Sequence, residues 1–202
     1  MHMNEFMAME QAAPLVSSLG GVLTTEDLCA FFGVSQQSSL QSRLRSYLEA
    51  GILSRVQRGL YVWREADPRA LARRLSPDAT LSFGNVLADH LLIGTVPSRQ
   101  FRFTASARDV SLQAPRWTVG MHRLAEHLQF GWHLDADGYR VAEAEKAVLD
   151  CLYYHQKGIG LSFDLETDID RGGIDRERFL AYVERYPNPR FQSRCRRWLD
   201  AV

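Results

Sequence analysis

Between positions 36 and 45 the chain sets out Gln36, Gln37, Ser38, Ser39, Gln41, Ser42, Arg43 and Arg45 with no acid among them. Amides and hydroxyls of this reach hydrogen-bond to base edges and phosphates, and arginine forks onto guanine or phosphate. A helix face kept only for solubility usually mixes in glutamate and lysine. A second polar group follows at Arg55, Gln57, Arg58 and Arg64. Nearly all basic residues are arginine, the lysines being Lys146 and Lys157. A GC-rich genome gives the same bias, so the placement of charge counts for more than its residue type. Residues 35–64 hold five arginines against one acid, Glu49, while residues 1–34 hold four acids (Glu5, Glu10, Glu26, Asp27) and no Lys or Arg. The whole chain balances 24 basic against 24 acidic residues. Any attraction to nucleic acid is therefore local, and the basic half of this small domain is the half that should face double-stranded DNA.

The surrounding pattern supplies elements to carry these groups. Ala12, Ala13, Leu15, Val16 and Leu19 suit one face of a helix over 10–19, with Pro14 in its first turn and Gly20 and Gly21 as its stop. Thr24 is a good N-cap with Asp27 three positions on, close to a capping box. The helix it starts carries Leu28, Cys29 and Phe32, and Gly33 ends it. Val34 then turns inward, Ser35 caps the next helix, and Leu40, Leu44 and Leu48 are its buried seam, with Ile52 near its end after Gly51. Strands over 53–56 and 60–63 enclose a turn at 57–59. Helix, glycine turn, helix and hairpin make a winged helix-turn-helix, expected as a DNA-binding domain over 1–66. The same fold used for protein contact is the plainer alternative.

From 67 to 202 the pattern is mixed α+β. A helix over 68–75 presents Arg69, Arg73 and Arg74 beside the hairpin. A strand at 79–81 leads to Ser82 as the cap of a helix reaching 92. Strands are expected at 100–105, from 116 onward, and at 130–133 and 139–142 around a turn at 135–138. A helix from Glu143 places Ala147, Val148, Cys151 and Leu152 inward. After the break at 158–160 come helices over 175–185 and 189–201. The last buries Phe191, Cys195, Trp198 and Leu199 and leaves Arg190, Arg194, Arg196 and Arg197 outside, with Arg185 before it. Arg69, Arg73, Arg74, Arg190, Arg194 and Arg197 are candidate flanking contacts; a solvated amphipathic helix explains the last three equally well.

Catalytic spacing is missing. Glu143, Glu145 and Lys146 suggest a nuclease's glutamate and lysine, but Lys146 directly follows Glu145, and first-turn acids at a helix start are expected for their effect on the dipole. Asp164, Glu166, Asp168 and Asp170 lack the glycine and closing glutamate of a calcium loop and read as a solvated acidic loop. His90, His122, His127 and His155 are scattered and read as structural. Cys29, Cys151 and Cys195 are odd in number and widely spaced, which fits reduced thiols in a cytoplasm. No phosphate loop, signal peptide or membrane-length apolar run is present, so no catalytic, metal or cofactor site is expected.

Three segments resemble the AbiEi antitoxin family of bacterial type IV toxin–antitoxin systems. The run GILSRVQRGLYVW, followed by DPRALARRL, is similar to the family's wing at Leu53, Arg55, Val56, Arg58, Gly59 and Tyr61. PDATLSFGNVLADHLL (77–92) is similar to a second motif, with Gly84 where Leu or Glu is commoner and Leu92 where Gly is usual. YRVAEAEKAVLDCLYY (139–154) is similar to a third, with Ala144 in place of Pro. Together they span most of residues 10–160. The resemblance implies a winged helix that binds inverted repeats upstream of its own operon and represses it. It also implies a C-terminal domain acting against a nucleotidyltransferase toxin without a stable complex. A stand-alone regulator of the same fold, a nuclease-like enzyme positioned by its winged helix, and a protein-interaction module are the alternatives.

Overall fold

The computed structural model describes residues 16–35, 37–94 and 99–201, with the backbone alone for Gln37 and Ser38. Its described elements run β1 (Val22–Thr24), α1 (Thr25–Phe32), α2 (Gln37–Glu49), β2 (Leu53–Gln57), β3 (Leu60–Trp63) and α3 (Pro68–Leu75), then β4 (Thr80–Leu81), α4 (Phe83–Asp89), β5 (Gln100–Ala105), β6 (Val110–Gln113), β7 (Thr118–Arg123), β8 (Trp132–Leu134) and β9 (Arg140–Ala142), and last α5 (Ala144–His155), α6 (Arg176–Val183) and α7 (Pro189–Asp200). Mixed α+β is the class expected. The strands form a three-stranded sheet in the order β1-β3-β2 and a six-stranded sheet in the order β6-β7-β5-β4-β9-β8.

The chain divides into two compact units, residues 1–75 with 111–119, and residues 76–110 with 120–202. The first therefore continues past the boundary expected at 66. Helix α3 belongs to it because Ala70, Leu71 and Ala72 are buried and Arg74 pairs with Asp27 at 3.3 Å. The helix expected over 10–19 lies partly outside the described residues; 16–18 are helical and are followed by Gly20 and Gly21, both at positive φ.

Strand β1 is not anticipated by the sequence pattern. It pairs antiparallel with β3, Val22 facing Val62 and Thr24 facing Leu60. Thr24 then changes role: its hydroxyl accepts from Asp27 N, while Asp27 Oδ2 accepts from Thr24 N at 2.8 Å, which completes the capping box. Gly33 ends α1 in the left-handed region, as expected. Helix α2 begins at Gln37, so Ser35 falls short of its cap position, which lies outside the described residues.

The seam of α2 is Leu40, Leu44 and Tyr47 rather than Leu48, which is exposed. At about 100° per residue, position 47 lies roughly 20° from Leu40 around the helix and position 48 about 80°. These side chains close a core with Val16, Leu23, Leu28, Ile52 and Leu53.

In the second unit β4 pairs antiparallel with β5 and parallel with β9. Helix α4 ends at Asp89, short of 92, and Leu91 follows at φ 57°. Ser82 occupies the N-cap position of α4 without bonding that helix's backbone. Its hydroxyl instead donates to Asp150 Oδ2 at 2.7 Å, and Lys146 Nζ donates to Asp150 Oδ1. All three side chains are buried. The first-turn acids of α5, expected for their effect on the dipole, also make specific tertiary contacts. Glu145 is buried and accepts from Asp175 N at 3.0 Å, and Glu143 accepts from Tyr182 Oη at 2.6 Å. Both acids thus hold α6 in place, with Arg178 3.6 Å from Glu145. Breaking a buried ion pair on one side leaves an uncompensated charge. K146A should therefore destabilise the protein by about 3–5 kcal/mol, whereas replacing both partners, as in K146M/D150L, should cost far less. Urea unfolding of the two variants checks this.

His122 packs against Phe83 and Tyr154, with ring centroids 5.2 and 5.3 Å away. Burial, aided by the Arg102 charge, lowers its pKa from 6.5 against the opposing pull of Asp109 and Asp150. The unfolded chain then binds a proton that the folded chain resists. Stability is greatest above pH 6.5 and falls as pH drops from there through the folded pKa. H122N should flatten that acid-side slope in urea midpoints measured across this range.

Candidate nucleic-acid interface

Ser39, Gln41, Ser42, Arg43 and Arg45 all lie on the exposed side of α2, opposite the Leu40–Leu44–Tyr47 seam. Gln36 and the side chains of Gln37 and Ser38 lie outside the described residues. Arg43 is exposed, yet its guanidinium donates to the Phe32 carbonyl at 3.2 Å. It braces the end of α1 against α2. Among the described residues Arg45 has no ion-pair or hydrogen-bond partner, which leaves its charge available to a ligand.

The hairpin β2–β3 stands beside this helix pair and is held there by backbone contacts. Thr25 N donates to the Gly59 carbonyl at 3.1 Å, fastening the hairpin turn to the start of α1. Trp63 N donates to the Gly21 carbonyl at 2.8 Å, and Arg64 N to the Ile52 carbonyl at 2.9 Å. Gly59 needs its φ of 77°, a conformation costly for any residue with a Cβ. The register of β2 against β3 shifts between Arg55 and Gln57, a bulge that lets Arg55 Nε reach the Gln57 carbonyl at 3.3 Å. Arg55, Gln57 and Arg58 are exposed, and Arg58 at the turn has no ion-pair partner among the described residues.

Arg64 is also exposed but pairs with Glu65 at 2.9 Å. An exposed pair of this kind is worth at most about 1 kcal/mol, so a phosphate can replace the glutamate. Beyond the hairpin the basic surface is weaker than the arginine count implies. Arg69 forks onto Asp67 at 2.7–3.1 Å, and Arg74 pairs with Asp27, so each brings an acid with it. Arg73 is exposed.

In the second unit the inward set of α7 is the expected one: Phe191, Cys195, Trp198 and Leu199 are buried. Arg190 and Arg197 are exposed and Arg194 is half-buried. Arg196 pairs with Glu184, and Arg185 lies 3.9 Å from the Phe130 ring centroid.

The side chains considered for catalysis are occupied otherwise. Lys146 is buried on Asp150, and Glu143 and Glu145 hold α6. In the acidic loop Asp164 accepts from Glu166 N at 2.8 Å and Thr167 N at 3.0 Å, while Glu166 pairs with Arg171 at 3.0 Å. These carboxylates shape the loop itself. Among the described residues no three His, Cys, Asp or Glu side chains are grouped to hold a metal ion. No helix among them is long and apolar enough to cross a membrane.

Comparison with known proteins bears on the fold and on the N-terminal segment. No curated protein matches the chain. The crystal structure of the RV2827C protein from Mycobacterium tuberculosis is similar, with a TM-score of 0.56 over 94% of this chain and 76% of that one. At 17% identity that likeness is one of fold alone. Residues 10–62, which span α1, α2 and most of the hairpin and carry the candidate interface, match the model of the family described as transcriptional regulator, AbiEi antitoxin.

Proposed function

We propose that the protein is a DNA-binding transcriptional regulator whose N-terminal unit is a winged helix-turn-helix. In this reading α2 enters the major groove of double-stranded DNA and the β2–β3 hairpin is the wing. The observation that carries it is the exposed face of α2 over residues 39–45, which holds no acid, beside Arg55 and Arg58 on a hairpin fastened to the start of α1 through Thr25 N and the Gly59 carbonyl. Gln41 and Ser42, with Gln36, Gln37, Ser38 and Ser39 toward the start of the helix, are the base readers, and amides and hydroxyls suit that task. Arg45, Arg55, Arg58 and Arg64 hold phosphates or enter the minor groove. Arg43 reads a base at the cost of its bond to Phe32, or stays as a brace. Arg69, Arg73 and Arg74 extend the contact along the backbone, Arg69 and Arg74 with Asp67 and Asp27 beside them. Arg190, Arg194 and Arg197 form a second basic surface for flanking nucleic acid.

The finer reading rests on the family. The protein acts in the cytoplasm as an autorepressor at inverted repeats upstream of its own operon, and as an antitoxin against a nucleotidyltransferase toxin without a stable complex with it. It is not an enzyme in this account, and the burial of Lys146 weighs against the nuclease alternative.

R58A tests the wing. The variant should bind its upstream duplex and an unrelated duplex less tightly by a similar factor, and the slope of log K against log salt should become shallower by about one. Q41A should instead weaken the upstream duplex by about 1–3 kcal/mol and leave the unrelated one nearly unchanged. Fluorescence anisotropy at several salt concentrations reads both. An R58A protein with unaltered affinity and slope contradicts the assignment.

A further inference from the structure

The first unit contains a cavity of which the DNA-binding reading uses only Arg64, at its edge. It has a volume of about 160 Å³ and predominantly apolar walls, among them Val62, Trp63, Pro115 and Trp117. Arg64 and Arg116 also line it, and among its described lining residues there is no acid. Arg116 is exposed and has no ion-pair partner among the described residues. Trp117 is fixed by its indole N–H, which donates to the Ala66 carbonyl at 3.2 Å, and by its own carbonyl, which accepts from Ala114 N at 2.8 Å. Trp63 is fixed at the end of β3 by its bond to Gly21. The Trp117 indole is thus held through its side chain, and Trp63 through its backbone.

Size, wall chemistry and charge together select a ligand class. An apolar cavity of about 150 Å³ takes one benzene ring. Tryptophan faces favour a flat π-system. Arg116, which has no ion-pair partner among the described residues, favours an anion, and a carboxylate matches the guanidinium fork. We propose that this cavity binds a small single-ring aromatic carboxylate, with the ring against Trp63 and Trp117 and the carboxylate on Arg116. The proposal does not depend on DNA binding.

The chain contains four tryptophans, Trp63, Trp117, Trp132 and Trp198, so their indole N–H signals report directly. Benzoate titrated into the full-length, indole-¹⁵N-labelled protein should shift the Trp63 and Trp117 signals saturably and leave Trp132 and Trp198 unmoved. Benzamide, a neutral molecule of the same shape, should bind about ten-fold more weakly, the usual worth of one charged hydrogen bond. R116Q, a surface change that keeps the fold, should weaken benzoate by about the same factor and leave benzamide unaffected. The proposal is overturned if benzoate produces no saturable shift, if benzamide binds as tightly, or if all four signals move together. It is also overturned if the Trp63 and Trp117 signals move with protein concentration and not with benzoate, which would assign the cavity to a second copy of the chain.

Discussion

Three residues of β1 decide where the exposed face of α2 and the hairpin arginines stand. Val22 to Thr24 pair with β3, and the last of them is also the N-cap of α1. Sheet and helix thus share a residue. A slip of one position would turn Leu23 out of the core and remove the Thr24 hydroxyl from Asp27 N, so core and cap reject the same error. With that register fixed, the Gly59 carbonyl reaches Thr25 N and the hairpin cannot swing away from the helix pair. The cap therefore helps to place Arg58, which lies far from it in sequence. Asp27 serves twice, closing the capping box and pairing with Arg74 of α3.

The second unit depends on buried charge. Asp150 receives Lys146 from its own helix and Ser82 from the residue before α4, which ties those two helices through one carboxylate. Glu145 does the same for α6 through the Asp175 backbone. Burying such groups is costly, and their value lies in allowing one arrangement of the helices. The same burial removes Lys146 from any role at the surface.

Much of this was legible in the sequence where local chemistry decides. The Thr24 cap, the Gly33 stop, the hairpin, Pro68 at the start of α3 and the inward face of α7 all follow from a few neighbouring residues. Strand β1 did not, because three residues between a glycine pair and a cap show no period. Strand β6 was missed although Val110, Ser111, Leu112 and Gln113 alternate, because four residues are too short a run to mark a strand by period alone. Tyr47 displaced Leu48 because an even four-residue spacing drifts off a helix of 3.6 residues per turn. Glu143 and Glu145 read only as first-turn acids acting on the helix dipole because their partners, Tyr182 and the Asp175 backbone, lie about thirty or more residues away. For the interface, the exposed face of α2 and the hairpin arginines were legible. Of the acids beside them, Glu65 and Asp67 are sequence neighbours of Arg64 and Arg69 that fall just outside residues 35–64, whereas Asp27 meets Arg74 only once the chain is folded.

The central claim is that the α2 face and the hairpin act as one cationic surface on duplex DNA. Its most direct test is the salt dependence of the full chain's affinity for its own upstream duplex. Four arginines, Arg45, Arg55, Arg58 and Arg64, each meeting one phosphate, predict a linear fall of log K against log salt with a slope of about −3.6 per bound copy. Absence of binding at low salt, or affinity that does not change with salt, would contradict the account.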